Sequence, residues 1–141
     1  MKIVLDSNVL IAAVAAGAGL CSQVAQECLA RHQLVVCEEI IEEVARNLRW
    51  KIKLPAEIAD RVARTLRQRA VVMRPARLPD NAAAHAEDLP ILGVAVASRA
   101  DLLVTGDLAL RQIGVIEGVR IVSPRECWRA LREKAWPEET D

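Results

Sequence analysis

Two apolar runs in this chain each end on an aspartate. Ile3-Val4-Leu5 leads into Asp6, and Leu102-Leu103-Val104-Thr105-Gly106 leads into Asp107. Short apolar runs without polar alternation read as strands buried on both faces, which is how strands of parallel sheets look. In open α/β sheets, ligands bind in the crevice outside the carboxyl ends of the strands. Two carboxylates converging there repel each other unless one is protonated or a cation lies between them. A hard divalent cation with oxygen ligands is the simplest relief. The pair therefore constrains the fold and the chemistry together.

The rest of the chain reads as β-α-β-α-α-β-α-β-α-β-α. Strands are expected at 2–6, 34–37, 70–73, 102–105 and 119–122. Helices are expected at 8–16, at 22–32 with Ser22 as N-cap, at 39–49 with Ile40, Ile41, Val44, Ala45 and Leu48 on one face, and at 56–69. The segment 74–87 is polar and holds prolines, so it reads as a loop. Residues 89–99 are apolar nearly all round, as in a buried crossover helix. A short helix follows 102–105, and Ser123-Pro124-Arg125-Glu126 is a capping box opening the last helix. Strands alternating with helices predict a three-layer α/β/α sandwich around a parallel sheet of about five strands. We expect a single domain over 1–136 and a frayed tail at 137–141.

Composition removes several function classes. With 141 residues, 52% of them hydrophobic, the chain can bury a core and is not a disordered tail. The formal net charge is +0, so any polyanion binding must come from local patches. Cys21, Cys28, Cys37 and Cys127 form no CxxC pair, which argues against structural zinc and for reduced thiols acting as small hydrophobes. There is no Phe or Tyr, and the aromatics are Trp50, Trp128 and Trp136. Stacking platforms for single-stranded RNA need more surface aromatics than that. No stretch is apolar enough for a membrane span. Leu5–Leu20 is the nearest rival to a signal peptide, and Asp6 and a lone Lys2 argue against it. The expected location is the cytoplasm.

Each acid also has an ordinary reading. Asp6 could cap the next helix, although a charge ending a buried strand favours a ligand. Asp107 could be a turn residue after Gly106. Asp88 serves equally well as an N-cap. Glu42 and Glu43 flank the apolar helix face about equally, so periodicity does not choose between them. His85 reads as a surface loop residue and Asp101 as a strand start. Ser7 and Asn8 suit a helix start, and Thr105 is placed to bond Asp6 or the backbone. Arg46, Arg49, Lys51 and Lys53 form a basic run around Trp50. Such runs usually face water, but Arg46, Arg49, Lys51 and also Arg111 are the available phosphate contacts.

These residues resemble a known family. Asp6-Ser7-Asn8-Val9-Leu10 is similar to the opening motif of PIN domains. Glu42-Glu43-Val44 is similar to their central acidic motif and selects Glu43. Asp88-Leu89-Pro90-Ile91-Leu92, then Ala95, Ala100-Asp101 and Val104-Thr105-Gly106-Asp107, is similar to their C-terminal pattern. The resemblance covers residues 1 to about 130, and its closest branch is VapC-like toxins of toxin–antitoxin systems. It implies an RNA-cleaving nuclease with Mg²⁺ or Mn²⁺ on Asp6, Glu43, Asp88 and Asp107, helped by Ser7 and Asn8; Thr105 is expected to support them through its bond to Asp6 or the backbone. It also implies a small antitoxin partner and a homodimer. One departure is Glu87, where many relatives carry a second Asp; it could join the site or face solvent.

An ion so held can activate a water and stabilise charge developing on a phosphate, and no nucleophilic side chain is evident. Two rivals remain. A phosphate-receiver domain would need an acid pair at strand one and a late Lys; Asp6 is followed by Ser7, and no Lys lies between Lys53 and Lys134. A catalytically silent PIN-like interaction module, binding RNA or a protein, keeps the same motifs.

Overall fold

A computed structural model describes residues 1–140, with side chains described through Glu133. The chain runs β1 (Lys2–Leu5), α1 (Ser7–Ala16), α2 (Leu20–Arg31), β2 (Gln33–Val36), α3 (Glu38–Trp50), α4 (Ala56–Arg69) and β3 (Val71–Val72). It continues through α5 (Leu89–Ser98), β4 (Leu102–Val104), α6 (Leu108–Ile113), β5 (Val115–Ile116), β6 (Val119–Val122) and α7 (Pro124–Thr140). The strand order is β3-β2-β1-β4-β6-β5, parallel except for the antiparallel β5–β6 pair. β1 is thus the strand from which the order turns both ways. The crevice beyond its carboxyl end, between β1 and β4, is the topological switch point.

Helices cover both faces, giving the expected α/β/α layers. α5 packs on β1 and β2, while α2 and α7 pack together on the opposite side against β2, β4 and β6. The apolar run of α5 explains its position, since Ile91, Leu92, Val94 and Ala95 are all buried. The strand side chains Ile3, Val4, Leu5, Leu34, Val35, Leu102, Leu103 and Val104 are buried too, as a sheet covered on both faces demands.

The structure corrects several boundaries. Ser22 is not the N-cap of α2. That helix starts earlier, after Gly19, and Ser22 is buried within it, accepting a bond from Gln26 Nε2 at 3.1 Å. Gly17 and Gly19, at φ of 68° and 108°, make the reversal tight enough for the early start. The strand expected at 70–73 shortens to β3, an edge whose Val71 and Val72 are exposed. The loop 74–87 holds two single turns of 3₁₀ helix, Asp80–Ala82 and Ala86–Asp88. A sixth strand, β5, was not expected. It forms a two-residue hairpin with β6 through Glu117 (φ 45°) and Gly118 (φ 85°), the positive-φ pair such turns require.

The capping box is present: Ser123 N donates to Glu126 Oε1 at 3.0 Å, and Glu126 N donates to Ser123 Oγ at 3.1 Å. No single helix among the described residues is long and apolar enough to cross a membrane, and α1 and α2 are bent by 108° at the break between them. The expected frayed tail, 137–141, falls on residues whose side chains, and for Asp141 the backbone, lie outside those described.

Candidate metal centre

Asp6 leaves the end of β1 and caps α1. Its Oδ1 accepts from Ser7 N at 2.8 Å, and its Oδ2 accepts from Thr105 Oγ1 at 2.7 Å. The same Thr105 hydroxyl accepts from Asp107 N at 3.0 Å. Thr105 is fully buried and Asp6 is 7% exposed. One hydroxyl beyond β4 thus couples the two strand-end acids. Asp107 in turn caps α6, accepting from Ala109 N at 2.8 Å through Oδ1 and leaving Oδ2 out of the cap. For both acids the cap reading holds, and the cap leaves lone pairs free, because a carboxylate has more of them than a cap uses.

Asp88 ends the second 3₁₀ turn and precedes α5, but its side chain makes no cap bond. Its carboxylate is therefore not spent on the helix. Glu43 comes from the middle of α3. Glu42 is exposed while Glu43 is half-buried and turned toward the other acids, which resolves what periodicity left open.

The four acids line one cleft of about 340 Å³, together with Ser7, Asn8, Ile40, Arg46, His85, Glu87 and Ile91. Their charges interact. Burial pushes the Asp6 carboxyl above the usual carboxylate range, and the charge of Asp107 adds to this while the Thr105 and Ser7 bonds oppose it. Asp88 is also pushed up, first by burial, then by Asp107 and Asp6; Glu87 adds to the shift and His85 opposes it. Like charges gathered in a partly desolvated cleft are an arrangement that a cation stabilises.

Among the described residues no three Asp, Glu, His or Cys side chains come together closely enough to enclose an ion unaided. The donor set is nevertheless all hard oxygen, spread around an open cleft. That suits a divalent ion such as Mg²⁺, which keeps several waters and takes few direct carboxylates.

Other expected residues fall differently. Arg46 reaches the cleft; Arg49, Lys51 and Arg111 do not line it. Arg49 lies over the Trp50 ring at 5.0 Å, at the exposed end of α3. Arg111 sits one turn into α6, and its charge reaches Glu126 on α7 rather than the cleft. Thr105 supports the acids from behind without lining the cleft. His85 is exposed, as read from sequence, and it also lines the cleft, because the 3₁₀ turn brings its backbone within a hydrogen bond of Asp88 N, at 3.0 Å. Only the spacing of His85 from Asp88 hinted at this.

A parallel α/β sheet with acids converging at its switch point defines the class to which this protein belongs. A family model for the PIN domain matches residues 2–109, and the chain is a member of that family. Among solved structures, it is similar to the crystal structure of VapBC2 from Rickettsia felis bound to a DNA fragment from their promoter, with a TM-score of 0.60 and 13% identity. That match covers 87% of this chain and 98% of the other, and it speaks for the fold alone. A comparison with curated proteins finds no match.

Proposed function

We propose that this protein is a metal-dependent endoribonuclease of the cytoplasm and the toxin of a toxin–antitoxin pair. The observation that carries the reading is the gathering of Asp6, Glu43, Asp88 and Asp107 in one cleft with a single arginine, Arg46. Asp6, Glu43, Asp88 and Asp107 would hold Mg²⁺ or Mn²⁺. The ion, when bound, supplies activation of a water and neutralises charge on the phosphate. The chain's own residues do the positioning. Thr105 fixes the Asp6 carboxylate, the α6 cap fixes Asp107, and Arg46 draws a phosphate of the RNA backbone toward the acids. Ser7 and Asn8 line the wall where an attacking water can be oriented.

The VapBC2 likeness supports an antitoxin as partner, and the exposed Trp50 and Ile52 on the α3–α4 connection give such a partner apolar surface. A homodimer remains part of the proposal. The alternative is the catalytically silent interaction module, which would keep the same fold and the same acids. A cleavage assay separates the two. Pooled RNA is incubated with the protein and Mn²⁺ or Mg²⁺, against EDTA and against Asp6→Asn, which removes charge and keeps shape. Metal-dependent cutting lost in a folded Asp6→Asn protein supports the nuclease. Metal binding without cutting of any RNA sinks it in favour of the silent module.

A further inference from the structure

The acidic cleft draws on α3 through Ile40, Glu43 and Arg46, which follow one another along one side of the helix. The same helix runs on to Trp50, its last residue. Two helical turns separate Trp50 from Glu43, which brings it round to within about 20° of the same side and about 10 Å further along the axis. It lies one turn, about 6 Å, beyond Arg46. The side of α3 that meets the acids therefore ends on a tryptophan.

Trp50 is 71% exposed. Arg49 covers one face of the indole, with its Cζ 5.0 Å from the ring centroid, and at that exposure the other face is open. Arg46, Arg49, Lys51 and Lys53 are exposed on either side of it in the sequence, and none is in an ion pair among the described residues. A helix C-terminus attracts cations through its dipole, which accounts for charge at this end of α3. It gives no reason for an indole held in water.

We propose that Trp50 stacks one unpaired base of the RNA whose phosphate Arg46 draws to the acids, so that the substrate is a single strand. This rests on the nuclease reading of the cleft. The strand leaves the acids past Arg46, one base lies on the open face of the indole, and the neighbouring cations meet the backbone. Every base has a π-face, so the contact selects for an unpaired strand rather than for a sequence. A base within a duplex is stacked on its neighbours and does not reach the ring. One tryptophan serves one base, unlike the platforms of several aromatics that the composition excludes. An antitoxin resting on Trp50 would compete with RNA for it.

The test reads binding without cutting. Full-length Asp6→Asn protein with Mg²⁺ is titrated into three labelled probes, and fluorescence anisotropy gives Kd. The probes are a single-stranded oligoribonucleotide, the same strand annealed to its complement, and an abasic ribose-phosphate strand of equal length. Adding Trp50→Ala should weaken binding of the base-bearing single strand about tenfold and leave the abasic strand and the duplex unchanged. Trp50→Phe should keep most of the affinity. An unchanged Kd for the base-bearing strand overturns the stacking, and so does an equal loss on all three probes. If the alanine variant does not fold, the Trp50 protein alone decides: an abasic strand bound as tightly as the base-bearing one overturns the inference. RNA binding that ignores Trp50 leaves the nuclease reading standing, whereas no binding of any RNA overturns both.

Discussion

Thr105→Val isolates the bridge between the two strand-end acids. Valine matches threonine in shape but has no hydroxyl. The substitution removes the 2.7 Å bond to Asp6 Oδ2 and the 3.0 Å bond from Asp107 N, and it leaves the backbone bond of Thr105 N to Val122 O in place. The first is a charge-assisted bond to a buried carboxylate, contributing about 1.5–3 kcal/mol; the second is neutral, at about 0.5–1.5 kcal/mol. Their sum predicts a loss of about 2–4.5 kcal/mol of folding stability at pH 7. Urea unfolding followed by circular dichroism measures it. Thr105→Ser, which keeps the hydroxyl and removes one buried methyl, should cost about 1 kcal/mol. In an Asp6→Asn background the valine change should cost less, because the charge that strengthened the bond is gone. A Thr105→Val protein as stable as wild type, or an equal cost in both backgrounds, would refute the bridge.

Other predictions follow from the same geometry. Gly93→Ala places a Cβ 2.5 Å from Ala76 O and 2.9 Å from Pro75 Cβ, where the segment leading to His85 and Asp88 crosses α5. It should cost about 1–3 kcal/mol in urea unfolding, as overpacking does. Because burial and like charge raise the folded-state values of Asp6 and Asp88, both carboxyls bind protons more readily in the folded protein than in the unfolded chain. Stability without metal should therefore rise as pH falls from 7 through their folded range toward the unfolded value of about 4. Saturating Mg²⁺ should supply the same stabilisation at pH 7 and flatten the profile. Melting curves across pH check this, and a metal-free melting temperature that falls on mild acidification contradicts it. Arg46→Ala should raise KM for RNA about tenfold with kcat little changed, whereas Arg49→Ala, outside the cleft, should leave both alone.

Much of the scaffold was legible because apolar period and length agree along the chain. Ile3–Leu5 and Leu102–Val104 can be buried only as central parallel strands, and the near-uniform apolarity of 89–98 fits only a helix covered on all sides. The placement of Asp6 and Asp107 on one cleft was legible for the same reason, since the ends of adjacent parallel strands open on the same crevice. Glu43 was not legible from periodicity, because one helical turn offers two flanking acids and only tertiary packing decides which faces the cleft. His85 was hidden because a 3₁₀ turn has too short a repeat to leave a pattern. Arg111 and Lys51 were misplaced by treating sequence proximity to the acids as proximity in space. β5 was missed because two residues are too few for alternation, although Glu117-Gly118 between two apolar pairs is a turn signal.

The proposed nuclease reading has water, rather than the RNA's own 2′-hydroxyl, as the nucleophile. The most direct test is cleavage in ¹⁸O-labelled water with Mn²⁺ present, using matched substrates with ribose or 2′-deoxyribose at the scissile position. The account predicts one ¹⁸O in the product phosphate per cut, cutting that survives the 2′-deoxy substitution, and no cutting by Asp6→Asn. A 2′,3′-cyclic phosphate product without ¹⁸O, formed only from the ribose substrate, would contradict it.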